Sequence, residues 1–443
     1  MSNVLSKKFT FWSLLKFTLP TIIMMVFMSM YTMVDGIFVS RLIGTSALSA
    51  VNIVYPVINV VLAVGIMLAT GGSAVIAKKM GESRNVEAKE NFSLVVCVGV
   101  VAGAVITLVG FLFADPLLRF LGANDAVYQY CYDYMTTLLP FVVPSILQML
   151  FQYFFVTAGK PTLGLLATLI GGCTNIVLDY VFIAPLDMGV AGAALATGIG
   201  YAIPGIFGLF YFLWNKKGTL YFLKPKFDSK VLLRSCTNGA SEMVTNLAIA
   251  VTTLLFNLVM MERLGEDGVA AITVVLYAQF LLSAVYLGYS SGVAPVVSYN
   301  YGDKDTVQLK KVFKISLQFL IAASLVTFVI ALLSSDLIVS IFTLSGSPVF
   351  DLAVHGFDLF AISYLFMGIN IFASAFFTAL SNGKISALIS FLRTFVLLVV
   401  CILLLPYLIG IDGIWLSVPI AEAAALFISI HWLRKKHTEY GYA

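Results

Sequence analysis

Residues 81–90, GESRNVEAKE, have a counterpart at residues 302–311, GDKDTVQLKK. Each is a short polar turn set between two long apolar runs. Residues on either side keep the same interval. Gly44 pairs with Gly265, Gly71 with Gly292, Gly81 with Gly302 and Asp115 with Asp336, all at one constant offset along the chain. The loop AGK at 158–160 resembles NGK at 382–384, with the offset widened by three positions. A chain of 443 residues that repeats itself at half its length reads as two copies of one unit. The basic stretch from Asn215 to Lys230 joins them, so the expected domains are residues 1–222 and 223–443.

The composition says what surrounds those units. Hydrophobic residues make up 60% of the chain and charged residues 11%, with a mean hydropathy of +1.00. Soluble domains carry roughly 25% charged residues, and a chain with less than half of that cannot cover a water-facing surface. Its solvent is lipid. A bilayer core takes about 20 apolar residues per helix. Cutting at charge clusters and Gly/Pro/Asn punctuation gives spans near 12–39, 47–76, 91–113, 127–156, 163–184 and 189–213. The second set falls near 232–260, 268–298, 311–333, 350–378, 385–408 and 413–433. The expected fold is all-α and integral to the membrane, with twelve transmembrane helices in two pseudo-symmetric bundles. Six spans return each half to its starting side, so the halves share one orientation and are related by an axis along the membrane normal.

Basic residues are divided unevenly between the two sides. One side holds Lys7, Lys8, Lys78, Lys79, Arg84, Lys89, Lys160 and the junction lysines, then Lys304, Lys310, Lys311, Lys384 and Arg434–Lys436. The other holds Arg41, Arg119 and Arg263. By the positive-inside rule both termini are cytoplasmic. The first apolar run is too long for a signal-peptide core and lacks a cleavage motif. The five cysteines are scattered without CxxC or metal-ligand spacing, which argues against a disulfide framework.

Ionisable residues at helix depth are costly and face a cavity or a partner. Asp35 lies late in the first span with no base near it in sequence. Asn175 and Asp179 are four residues apart on the fifth, hence on one face. With a hydroxyl such as Thr197 on the next helix they offer only oxygen ligands, suited to sodium, or a carboxyl able to take a proton. The repeat sharpens this reading. Asp35 maps onto Phe256, and Asn175 and Asp179 map onto Val399 and Leu403, so the polar groups belong to one half only. Candidates for a substrate cavity are Glu242 in the seventh span, Asn370 in the tenth, and Met149 and Gln152 in the fourth. The first span adds the thioethers of Met24, Met25, Met28, Met30 and Met33, soft groups suited to varied lipophilic molecules. Asp358, near the start of its span, reads as solvated, and the nearby His355 as structural. Pro20, Pro140, Pro144, Pro204, Pro295 and Pro419 are candidate kinks.

No GxxxxGK[ST] loop, HExxH or nucleophile–base constellation is present, and no basic soluble surface for nucleic acid. The expectation is not an enzyme but a secondary transporter that uses an ion gradient and no cofactor. At this point the sequence resembles a known family. Asp35, the run NIVLD at 175–179, Thr197 and the stretch GSAVIAKKMGE at 72–82 resemble the multidrug and toxic compound extrusion (MATE) transporters. The resemblance points to the DinF-like branch, and within it the MepA-like bacterial exporters, and spans essentially the whole chain. It implies a V-shaped pair of six-helix lobes working as a monomer in the bacterial plasma membrane. It also implies export of lipophilic, cationic compounds in exchange for sodium or protons. Asp35, Asn175, Asp179 and Thr197 fall on the family's N-lobe cation site. Asn370 stands where another branch has an aspartate, which favours coupling through the N-lobe. Two alternatives remain. One is a flippase for a lipid-linked or polysaccharide precursor, which would want a basic cavity although Arg393 is the sole basic residue placed well inside a span. The other is an ion channel, which would want a filter loop or charged rings.

Overall fold

The computed structural model describes residues 4–38, 42–43 and 45–442. Arg41 and Gly44, used above, lie outside them. In the first half the long helices are α1 (Phe11–Phe38), α2 (Thr45–Gly81), α3 (Asn85–Leu112), α4 (Tyr128–Thr157), α5 (Pro161–Ile183) and α6 (Gly189–Trp214). The second half begins with a single 75-residue helical run, Ser229–Asp303. Laid straight it would reach about 110 Å, more than twice the thickness of a bilayer. It does not run straight. Ser235 and Tyr299, near its two ends, both touch the backbone of α2, at Gly71 and Gly81. The reversal is at Gly265 (φ 67°, ψ −152°), a conformation open essentially to glycine alone. It divides the run into α7 (229–264) and α8 (266–303). Then follow α9 (Thr306–Leu333), α10 (Pro348–Ala361 and Tyr364–Ala379, bent by 56°), α11 (Gly383–Ile409) and α12 (Asp412–Tyr440).

With that run divided at Gly265 and the bent pair counted once, the described residues hold twelve apolar passages long enough to cross a membrane, and no strand occurs among them. The differences from the expected spans are local. The sequence places a connection between spans at 260–268, and the structure has one tight glycine turn there. The fourth span is interrupted by a 3₁₀ turn, Leu139–Phe141, where Pro140 removes a backbone donor. Two short helices that periodicity does not suggest, Ala114–Phe120 and Ser335–Ser340, fill the loops after α3 and α9. Their first residues keep the offset of the repeat.

The repeat is written into the backbone. Ser83 (φ 61°) and Lys304 (φ 59°), matched by the same offset in the two polar turns, both adopt the left-handed conformation rare outside glycine. The later loop requires a correction. Gly159 (φ 73°) matches Ser381 (φ 62°). The N–H of Ala158 donates to Phe154 O as that of Leu380 does to Phe376 O. The offset there is one position wider than at the polar turns, not three as the AGK/NGK alignment has it. Asn175 and Asp179 then map near Leu397 and Cys401, which are as apolar as the residues first compared.

The halves meet through glycine. A Cβ on Gly71 would stand 1.8 Å from the Ser235 carbonyl oxygen and 2.7 Å from the Gly239 nitrogen. At the equivalent place in the other half, a Cβ on Gly292 would stand 2.3 Å from Thr21 Oγ1 and 3.1 Å from Thr18. Nearer the basic end, a Cβ on Gly81 would stand 2.0 Å from the Tyr299 carbonyl oxygen and one on Gly302 2.2 Å from that of Lys78. Missing side chains let backbones approach in lipid, where close packing and polar contacts rather than water expulsion hold helices together. The molecule is closed at its basic end. Within each half, aromatic side chains fill the core, as where Phe92 packs at 4.9–5.1 Å on Phe154, Phe212 and Phe222. Large apolar residues such as Leu112, Leu333 and Phe427 point outward, as lipid permits.

Candidate functional site: a buried acid pair and an ion-paired counterpart

In the first half three helices converge because small residues let them. A Cβ on Gly172 of α5 would lie 2.5 Å from the Phe27 ring of α1, and one on Gly171 would lie 2.5 Å from the Gly200 carbonyl of α6. This convergence sets Asp35 (α1), Asn175 and Asp179 (α5) and Thr197 (α6) around one polar region. Asp179 is fully buried and Asn175 nearly so. The carboxyls of Asp35 and Asp179 adjoin, with the Asn175 amide beside Asp179. Among the described residues, most of the polar atoms of these groups have no hydrogen-bond partner. Asp35 Oδ1, both Asp179 oxygens, both polar atoms of Asn175 and Thr197 Oγ1 are buried without a partner. A small cavity lined by Tyr31, Gln148, Thr168, Asn175, Thr197 and Tyr201 opens beside the acids. No lining residue is basic.

A polar atom buried without a partner costs about 1–3 kcal/mol, so a cluster of them calls for a guest. Two adjoining carboxyls cannot both stay charged in so apolar a place without one. A carboxylate, amide and hydroxyl set is a hard-cation donor set, and the same two acids can hold one proton between them. Either guest satisfies the cluster.

The residues assigned to a substrate cavity fall in several places. Glu242 is half-buried on α7, facing the Arg393 side chain of α11 and Tyr153 of α4. The Tyr153 hydroxyl in turn lies 3.4 Å from Ser291 Oγ on α8, across the boundary between halves. Met149 is buried against Gly65. Gln152 Nε2 contacts Met28 Sδ at 3.3 Å, which ties the first-span methionines to α4. Asn370 is fully buried, and the structure gives it another task. Its amide nitrogen donates to Glu422 Oε2 at 2.7 Å and to the Glu422 carbonyl at 2.9 Å, while its Oδ1 accepts from Ser429 at 2.8 Å. Glu422 Oε1 accepts from Arg393 Nε at 2.8 Å.

Glu422 was missed by sequence reasoning. Its signal was a lone acid mid-span at 413–433, for which Arg393 was the obvious base. Asp358 needs correcting as well: its Oδ1 is buried without a partner, not solvated. His355 lies 2.8 Å from Asp412, joining the starts of α10 and α12.

A duplicated twelve-helix bundle with little mass outside the membrane, and with an unpaired acid cluster inside it, has the architecture of a membrane transporter. The sequence model of the family described as MatE matches this chain twice, over residues 20–181 and 243–403. The chain belongs to the MatE family and is a transporter, not an enzyme. It is 23% identical over 441 residues to the multidrug export protein MepA of Staphylococcus saprophyticus, covering 98% of this chain and 96% of the relative. To the MepA of Staphylococcus haemolyticus it is 24% identical, covering 95% and 92%. A solved structure of a MATE protein in the straight conformation superposes with a TM-score of 0.94 at 21% identity, covering 100% of both chains.

Proposed function

We propose that this chain is an antiporter that exports lipophilic, cationic compounds across a bacterial plasma membrane in exchange for sodium or protons. The observation that carries the reading is the orphaned acid pair, Asp35 and Asp179, beside which no base stands among the described residues. The MepA relatives, named for multidrug export, support the substrate class. On this reading residues 1–222 and 223–443 are two lobes that rock about their shared boundary in a single chain, with no protein partner. The basic end is cytoplasmic, with both termini there, so the glycine seam closes the cytoplasmic side.

Helix α1 supplies the linkage. It carries Asp35 and leans on α5 through Phe27 and Tyr31, and its Thr18, Thr21 and Ile22 form half of the seam with α8. A cation arriving at Asp35 and Asp179 removes the repulsion between the carboxyls and lets α1 settle against α5. That movement changes the helix on which the opposite lobe rests. Exchange follows only if the ion prefers the arrangement that the exported compound disfavours. Met28, Gln152, Tyr153 and Glu242 would meet the cargo where the lobes face each other.

The test is uptake of a fluorescent cationic dye into inside-out vesicles, with sodium and proton gradients imposed separately. Uptake driven by one gradient and lost in Asp35→Asn supports antiport and names the ion. Gradient-independent behaviour in vesicles where the protein is inserted overturns it.

A further inference from the structure

The two halves can be superimposed position by position through their matched turns. Gly189 and Gly192 at the start of α6 correspond to Gly410 and Gly413 around the start of α12, at the offset of the polar turns. Gly192 packs against Phe182 at the end of α5, and Gly413 against Leu405 and Pro406 at the end of α11. With that register Tyr201, which lines the small cavity, corresponds to Glu422. The slightly wider offset at the loop after α4 and α10, fixed by Gly159 and Ser381, makes Gln148, another lining residue, correspond to Asn370. The ion-paired network of the second half therefore stands where the first half keeps its cavity.

The two places differ in their satisfaction. In the first half Gln148 Oε1, Asn175 and Thr197 are buried without partners. In the second, both Glu422 oxygens, the Asn370 amide nitrogen and its carbonyl oxygen are all engaged. The cation is Arg393. Its Nε is fixed on Glu422, and it rises from a π-helical turn, Leu392–Leu397, a local widening of α11 of the kind found at functional sites. The side chain is 12% exposed and Glu422 is 7% exposed, so the pair is shielded from water.

We propose that the Arg393 guanidinium is the tethered cation of the C-lobe, occupying permanently the place that a diffusible cation visits in the N-lobe. Only the N-lobe exchanges ions, and the Glu422–Asn370 oxygens form a monovalent-cation site that the arginine keeps filled. The inference rests on the N-lobe coupling reading, yet its key measurement does not depend on it.

The test starts from the background Asp35→Asn/Asp179→Asn, in which the N-lobe acids are neutral. Sodium-22 binding and proton uptake, the latter read with a pH indicator in weak buffer, are measured on purified protein in nanodiscs. Adding Arg393→Met should create about one new bound cation per chain, as sodium or as a proton according to which assay reports it. A further Glu422→Gln change should remove it. Absence of any gain in folded Arg393→Met protein overturns the proposal. In the otherwise native chain, the neutral pair Arg393→Met/Glu422→Gln keeps the ion-to-substrate ratio of transport unchanged. A changed ratio overturns the proposal equally, because Glu422 would then be a group that titrates in the cycle. Should Arg393→Met alone fail to fold, the neutral pair still carries the transport arm. Loss of gradient-driven transport in the unmutated chain would instead strike the coupling reading and leave the binding result standing.

Discussion

Corresponding places in the two halves treat charge in opposite ways. Around Asp35 and Asp179 the structure collects acids and oxygen donors and, among the described residues, supplies no base. Around Glu422 it supplies a guanidinium, an amide and a hydroxyl, and leaves no oxygen of the acid or amide unmatched. One duplicated scaffold thus holds an incomplete site and a complete one. Duplication by itself is a structural convenience. On the proposed reading, filling one copy and leaving the other open gives a symmetric frame a working side.

The contrast is tested most severely by neutralising the open side. Asp179→Asn, or Asp35→Asn, should lower gradient-driven dye transport to the level of empty vesicles while insertion and thermal midpoint stay near native. Full transport by both variants would remove the distinction between the halves. Next in size is the closed side. Glu422→Gln leaves a buried guanidinium without its counter-charge and should cost about 3 kcal/mol, from the usual penalty for opening a buried ion pair. The thermal midpoint of detergent-solubilised protein reads it. Adding Arg393→Met should recover most of that loss, since apolar replacements of whole buried pairs are often neutral.

Smaller again is the seam. Gly71→Ala must push the Ser235 carbonyl away and should cost about 1–3 kcal/mol, as overpacking does. It should also raise cysteine labelling of the lobe interior from the basic side. Gly65→Ala, whose Cβ would meet only the flexible Met149 side chain at 3.3 Å, should cost under about 1 kcal/mol. Equal effects at the two glycines would mean that the backbone contact is not what holds the lobes. The smallest expected effect is Lys79→Ala. It breaks a 2.7 Å pair with Glu87, whose side chain is 49% exposed, and such surface pairs are worth about 0–1 kcal/mol. Thermal midpoints of the three variants, measured side by side, check this order.

The architecture was legible in the sequence because lipid leaves a strong imprint on composition. Twelve passages, their rough limits and the half-length repeat could be read from apolar runs and paired glycines. The Gly265 reversal was half visible: the glycine stands out in the repeat, but a turn with no loop around it has no compositional signature. The acid cluster was legible because Asp35 and Asp179 are costly where they stand, and four-residue spacing put Asn175 on the same face. The Glu422 network was not. Its members lie on three helices, at 370, 393 and 422, and pairing across helices is invisible to spacing along one. Asn370 shows the limit clearly. The sequence marks it as a polar residue at depth and cannot tell whether it faces a cargo or braces a neighbour.

The glycine seam has a consequence for how this protein can change over generations. A contact made by side chains can be trimmed gradually, one methyl at a time. Where Gly71 meets Ser235 and Gly302 meets Lys78, each glycine has no side chain left to trim. Substitution at these glycines can only add bulk, so drift there acts as a wedge and never as erosion. The closure at the basic end is therefore inherited nearly whole or lost abruptly, while the surrounding aromatic packing remains free to wander.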